Sequence, residues 1–154
     1  MAESRIEVLL KVSQVNLARA EKRFIDEEYD SAALHASMAV ESAANALILK
    51  LGGDEAKNHR AITGLAAVIR RIRPDWLREE GCEKLIEKGR EIQREVVYAR
   101  YPLKVADRWV TPMEYYTLEK ARTTIDDARF VIDGIREYLI KKERLGKEAY
   151  ISIC

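Results

Sequence analysis

The 154 residues are enough for one domain with a core of its own, so neither a second domain nor disulfide staples are required. Charged side chains make up 34% of the chain, yet 27 Lys and Arg against 26 Asp and Glu leave a formal net charge of +1. That balance excludes a globally basic nucleic-acid or membrane binder and confines any cationic site to a local patch. Cys82 and Cys154 are too few and too far apart for a disulfide framework, and no Cys/His spacing forms a metal cage, so no metal or cofactor is expected. Met1-Ala2-Glu3-Ser4-Arg5 runs straight into an amphipathic pattern with no apolar leader, and no long uncharged apolar run follows. The expectation is a cytoplasmic protein with no membrane partner. Three Asn and two Gln among many Glu, Lys and Arg fit a thermophilic source.

Along the chain apolar residues recur at spacings of three and four, and strict alternation is missing, which predicts an all-α fold without a sheet. A first helix starts near a Ser4 cap and carries Ile6, Leu10, Ser13, Leu17, Ala20 and Phe24 on one stripe, widened by Leu9 and Val12, until about Asp26. A second runs from about Tyr29 to Gly52-Gly53, with Ala33, Ala36, Val40, Ala43, Leu47 and Leu51 in register with Tyr29. Seven alanines between Ala32 and Ala46 let neighbours approach closely and mark this as the central, most buried helix. Asn58 opens a shorter helix bearing Ile62, Leu65, Ala66 and Ile69, which Pro74 ends, and Trp76 and Leu77 anchor the connection. A fourth helix is predicted from near Gly81 to about Arg100, with Leu85, Gly89, Ile92 and Val96 inward, broken by Tyr101-Pro102. After a loop from Leu103 to Val110, Thr111-Pro112-Met113-Glu114 is a capping box with proline in the first turn. It starts a fifth helix whose Leu118, Ala121, Ile125, Ala128, Ile132, Ile135 and Leu139 alternate regularly until before Gly146. Residues 1–146 then form an up-and-down four- or five-helix bundle. Residues 147–154 form a C-terminal tail, free or docked on a partner.

Two segments resemble the HEPN family: Tyr29-Asp30-Ser31-Ala32-Ala33-Leu34-His35-Ala36-Ser37-Met38-Ala39-Val40-Glu41-Ser42-Ala43, and Tyr98-Ala99-Arg100-Tyr101-Pro102. Asn58-His59-Arg60-Ala61-Ile62 also lies where members often place a His before an aliphatic residue, and helix order and length agree over nearly the whole chain. The resemblance implies a helical bundle, usually a homodimer, often encoded beside a minimal nucleotidyltransferase as a toxin-antitoxin pair. Many members are metal-independent ribonucleases whose signature is an Arg followed, after four to six residues, by a His. Arg100 supplies the Arg, but Val105, Ala106 and Asp107 stand where the His belongs. The signature is incomplete, and an aspartate does not readily replace an imidazole as general acid and base.

Arg100 falls four residues after Val96, at the end of the expected inner stripe. There it either satisfies the helix dipole or binds phosphate with its planar fork, and the family match favours phosphate. His35, between Ala32 and Ala39, is either a hydrogen-bonded core or interface histidine or an acid/base group. His59 is either a structural residue at a helix start or a catalyst. Glu41 faces away from His35 and is expected to pair with a cation on a neighbouring helix, Arg100 being the candidate. Tyr98, Tyr101, Trp109, Tyr115 and Tyr116 crowd the last helix-helix turn with Arg94, Arg100, Lys104 and Arg108. Interleaved rings and cations can stack a base and hold its phosphate, or the rings can close the bundle or form a dimer contact. The Arg70-Arg71-Ile72-Arg73 cluster reads as a solvated helix end.

The candidate nucleotide site is therefore Arg100, Tyr98, Tyr101, Lys104 and Arg108, supported by Glu41 and Asp107, with Arg100, His35 and His59 as catalytic candidates. The leading reading is a homodimeric, nucleotide- or RNA-binding component of a toxin-antitoxin or nucleotidyltransferase-linked system. A metal-independent endoribonuclease and a noncatalytic protein-interaction bundle are the alternatives.

Overall fold

A computed structural model describes residues 3–153, with side chains described through residue 140. Helix α1 (Arg5–Ile25) opens on the expected capping box: Ser4 Oγ accepts the Glu7 N–H at 3.2 Å and the Glu7 carboxylate accepts the Ser4 N–H at 3.3 Å. Its buried face is Leu9, Ser13, Asn16 and Ala20, while Ile6, Leu10, Leu17 and Phe24 are half-buried and Val12 is exposed. The stripe is thus rotated from the one that apolar spacing predicts, because two polar residues on the inner face are satisfied. Ser13 Oγ donates to the Ala39 carbonyl at 2.7 Å, and Asn16 Nδ2 donates to the Val12 carbonyl at 3.1 Å.

Helix α2 (Tyr29–Lys50) packs against α1, the following helix and the last one, and its alanines are almost all fully buried. It is the central helix that its composition predicts. By length and composition it is also the one described helix apolar enough to cross a membrane, but here most of that stretch is covered by the bundle. Gly52, at φ 90°, closes the helix: its N–H bonds the Leu49 carbonyl and that of Gly53 the Ile48 carbonyl. The connection to α3 (Ala61–Ile72) is tied down by Asn45 Oδ1, which accepts the Ala56 N–H at 2.9 Å, and by a two-pronged Arg5–Glu55 pair.

Trp76, fully buried in the 3-10 turn Pro74–Arg78, packs its ring 4.5 Å from that of Tyr138. Helix α4 (Glu80–Glu95) buries Cys82, Leu85, Ile86, Gly89 and Ile92, then tightens into a 3-10 turn, Val96–Ala99. The expected loop and the expected absence of a sheet need correction. Strands β1 (Leu103–Val105) and β2 (Arg108–Val110) pair antiparallel as a small hairpin, with Lys104 opposite Trp109. The Thr111 cap is real, its Oγ1 accepting the Glu114 N–H, but α5 (Pro112–Tyr115) lasts only one turn. The long helix α6 (Leu118–Ile153) begins afterwards, and Thr117 Oγ1 accepts the Lys120 N–H at 3.2 Å. Ala121, Ile125, Ala128, Ile132 and Ile135 are buried as their spacing predicts. The helix continues past Gly146, where the sequence suggested an end, and Cys154 lies outside the described residues.

The result is an all-α bundle of four long helices with α3 and the hairpin at its margins.

Candidate functional site

Between the start of α3 and the end of α4 lies a groove of about 570 Å³. Two unusual local structures build it. Asn58 and His59 both adopt left-handed backbone, at φ 61° and 59°, which a β-carbon disfavours and which is tolerated best by Asn. This turn projects His59 outward just before α3, so Asn58 is not the helix cap expected from the sequence; Arg60 takes that position without a side-chain cap. Gln93 of α4 substitutes for the cap. Its Oε1 accepts the N–H groups of Ile62 and Thr63 at 3.0 and 3.4 Å, and its Nε2 donates to Thr63 Oγ1 at 2.9 Å. The second structure is the 3-10 turn Val96–Ala99, which breaks the α-helical phase ahead of Arg100. Arg100 is consequently exposed, not inward as a regular helix would place it.

Glu41 on α2 does not line this groove but reaches His59 at its edge, a different partner from the one predicted. Its Oε2 lies 3.0 Å from His59 Nδ1, so the carboxylate pairs with His59 and not with Arg100. With Nδ1–H donated to Glu41, the ring is oriented and Nε2 is left as its available atom. Arg60, Arg94 and Arg100 line the same groove, together with Tyr101, and no carboxylate lines it among the described residues. Arg94 makes a loose 3.6 Å contact with Glu91. The Arg60 and Arg100 side chains have no hydrogen-bond or ion-pair partner among the described residues. A groove with unpaired guanidinium groups and no facing carboxylate favours an anion.

The other candidates are distributed elsewhere. His35 does not line this groove; its Nδ1 donates to Asn16 Oδ1 at 3.2 Å across the α1–α2 contact. Burial, with Arg19 and Arg23 adding to it, holds its pKa below the ordinary imidazole value. Tyr98 does not line the groove either. Its ring packs tilted against that of Tyr115, which meets Tyr116 edge-on, and this group packs on Ala33 and Ala99. Tyr116 is buried and donates its hydroxyl proton to the Glu95 carbonyl, so these tyrosines close the end of the bundle. Lys104 and Arg108 lie on the hairpin: Lys104 sits over the Trp109 ring and Arg108 pairs with Glu114 at 2.6 Å. Asp107 lies in the exposed hairpin loop. A second hollow, of about 490 Å³, runs along α4 and α6 and is lined by Glu91, Glu95, Glu119 and Asp127, the wrong charge for phosphate.

Sequence reasoning missed Arg60 and Gln93 as site residues. The signal for Arg60 was its place directly after His59 in a turn. Nothing local marks Gln93, whose partners are about thirty residues away.

A helical bundle with a cationic, histidine-bearing groove at the α3–α4 margin defines the class: a small all-α domain with one anion-favouring edge. The HEPN domain family model matches residues 6–138, and the chain belongs to that family. It is 26% identical over 139 residues to a protein of Methanocaldococcus jannaschii named "Putative toxin MJ1304", covering 90% of each chain. Its fold is similar to the crystal structure of TT1696 from Thermus thermophilus, with a TM-score of 0.71 and 23% identity over 88% of this chain and 98% of that one. It is also similar to ST0689, described as an archaeal HEPN homologue, with a TM-score of 0.66 and 18% identity over 89% and 99%.

Proposed function

We propose that the α3–α4 groove binds the phosphate groups of RNA or of a nucleotide. On this reading the chain is the nucleotide- or RNA-binding member of a toxin-antitoxin or nucleotidyltransferase-linked system. The observation that carries the proposal is the pair of unpartnered guanidinium groups, Arg60 and Arg100, lining one carboxylate-free groove. Planar guanidinium forks match phosphate oxygens two at a time, so Arg suits this role better than Lys. The likeness to a relative named as a toxin, over nine tenths of both chains, supports the assignment to such a system. A homodimer with a minimal nucleotidyltransferase as its partner completes the proposal, on the family's habit.

The His59–Glu41 contact favours a second reading, a metal-independent ribonuclease. His59 Nε2 would take the proton of a ribose 2′-hydroxyl as that oxygen attacks the adjacent phosphorus, with Glu41 holding the ring. Arg60 and Arg100 would offset charge gathering on the phosphate oxygens. The P–O5′ bond then breaks, and solvent protonates the departing oxygen. His59 thereby replaces the histidine missing after Arg100, and His35 has no part.

The test uses an oligouridine with 2′-O-methyl groups, which binds without being cleaved, beside its ribose counterpart. Arg100→Ala should weaken binding of the methylated strand roughly tenfold or more, the scale of a charge-assisted contact. His59→Ala should leave that affinity near wild type and slow cleavage of the ribose strand about 10²–10⁴-fold. Unchanged affinity in Arg100→Ala contradicts the groove. Cleavage that survives His59→Ala contradicts the ribonuclease reading, and absence of any nucleotide binding would favour a plain interaction bundle.

A further inference from the structure

The hairpin after Arg100 holds the least explained side chain of the molecule. Trp109 is 64% exposed, although an indole in a monomer of this size is normally sheltered. Its cross-strand neighbour is Lys104, whose Nζ lies 5.8 Å from the ring centroid. Residues directly opposite in an antiparallel pair share one face, so ring and ammonium are presented together. Lys104 has no carboxylate partner among the described residues, in contrast to Arg108, which Glu114 neutralises. The hairpin is also short-tethered to the groove: Lys104 stands four positions after Arg100, at most about 14 Å of chain. Tyr101, 61% exposed, lies between them and lines the groove.

We infer that Trp109 and Lys104 form a base-stacking subsite that extends the phosphate groove, so that the ligand is a single-stranded RNA segment longer than one nucleotide. This rests on the groove reading given above. With one phosphate on Arg60 and Arg100, the strand runs past Tyr101, and a neighbouring base lies on the indole while Lys104 meets its phosphate. An aromatic face beside a cation that no carboxylate neutralises suits unpaired bases, whose rings are free to stack, and not a duplex, whose bases are already stacked. A protein partner for this face would need acidic residues against Lys104 and Arg100, and a second copy of the same cationic face would repel it.

The experiment measures binding of a 2′-O-methyl-oligouridine decamer, a blunt duplex of equal length and uridine monophosphate to wild type, Trp109→Ala, Trp109→Leu, Trp109→Phe and Arg100→Ala. Molecular mass is read by light scattering in parallel. Trp109→Ala and Trp109→Leu should weaken the single strand by at least about fivefold, the lower end of one base–aromatic stack. Trp109→Phe should recover most of that loss, and all three should leave uridine monophosphate and the duplex at wild-type affinity. If Arg100→Ala abolishes strand binding while Trp109→Ala and Trp109→Leu do not change it, the stacking subsite is refuted and the groove stands. If wild type binds none of the three probes, groove and subsite fall together. If the Trp109 variants change only the molecular mass, the ring is a protein contact and the inference is overturned.

Discussion

His35 donates to Asn16 from a half-buried position, and its surroundings disfavour the added proton: burial first, then the positive charges of Arg19 and Arg23. Its folded pKa therefore lies below the ordinary 6.5. Between that value and the lower folded one, the unfolded chain holds more protons, so stability falls as pH drops through this window. His35→Gln keeps a donor toward Asn16 without the titration, and it should flatten the decline of unfolding free energy as pH falls below the ordinary imidazole value. Urea unfolding at a series of pH values checks this; a variant as acid-sensitive as wild type would assign the effect to other groups. The candidacy of Arg100 was legible because a motif marks it. Its exposure was not, since one 3-10 turn shifts the helical phase. The pairing of Glu41 with His59 was also hidden, because it depends on two consecutive left-handed residues that neither composition nor periodicity announces. Tyr98 read as a base-stacking ring because it is two residues from Arg100, but its contacts belong to the packed tyrosine cluster.

The helices were far more legible than the segments between them, since a long apolar period is a repeated signal and a three-residue strand is not. Leu103-Lys104-Val105 does alternate, but over too few positions to outweigh a loop reading. The Thr111 capping box misplaced the last long helix by one turn, because Thr117 supplies a second cap six residues later. Where α3 meets α4, the geometry of the groove depends on one close approach. A β-carbon on Gly89 would stand 2.7 Å from Ile62 Cδ1 and 2.9 Å from its Cγ1, both inside the core. Gly89→Ala should therefore destabilise the fold by about 1–3 kcal/mol, the usual cost of overpacking, despite alanine's better helix propensity. Because Ile62 lies in the first turn of α3, three positions after His59, the same variant should also weaken RNA binding. Chemical denaturation checks the first effect, and a stability equal to or above wild type would mean that α3 yields at no cost.

The bundle gives a rigid frame with its candidate chemistry on one margin, where a break in α4, a strained turn and a hairpin converge. A dimer is expected in solution, with light scattering returning twice the mass of one chain at about 10 μM, well above the dissociation constant of a specific complex. A single-chain mass would remove that part of the proposal without touching the groove. The overall net charge of +1 conceals this local cationic groove, because Arg60 and Arg100, which line it together, stand forty residues apart in sequence. The measurement that bears most directly on it is the salt dependence of affinity for a single-stranded oligouridine. Each phosphate neutralised contributes about −0.7 to the slope of log affinity against log salt. The double substitution Arg60→Ala/Arg100→Ala should make that slope shallower by about 1.4. Thermal unfolding should stay near wild type, since neither side chain has a protein partner among the described residues. An unchanged slope and affinity, or a large loss of stability in place of lost binding, would contradict a phosphate-binding groove.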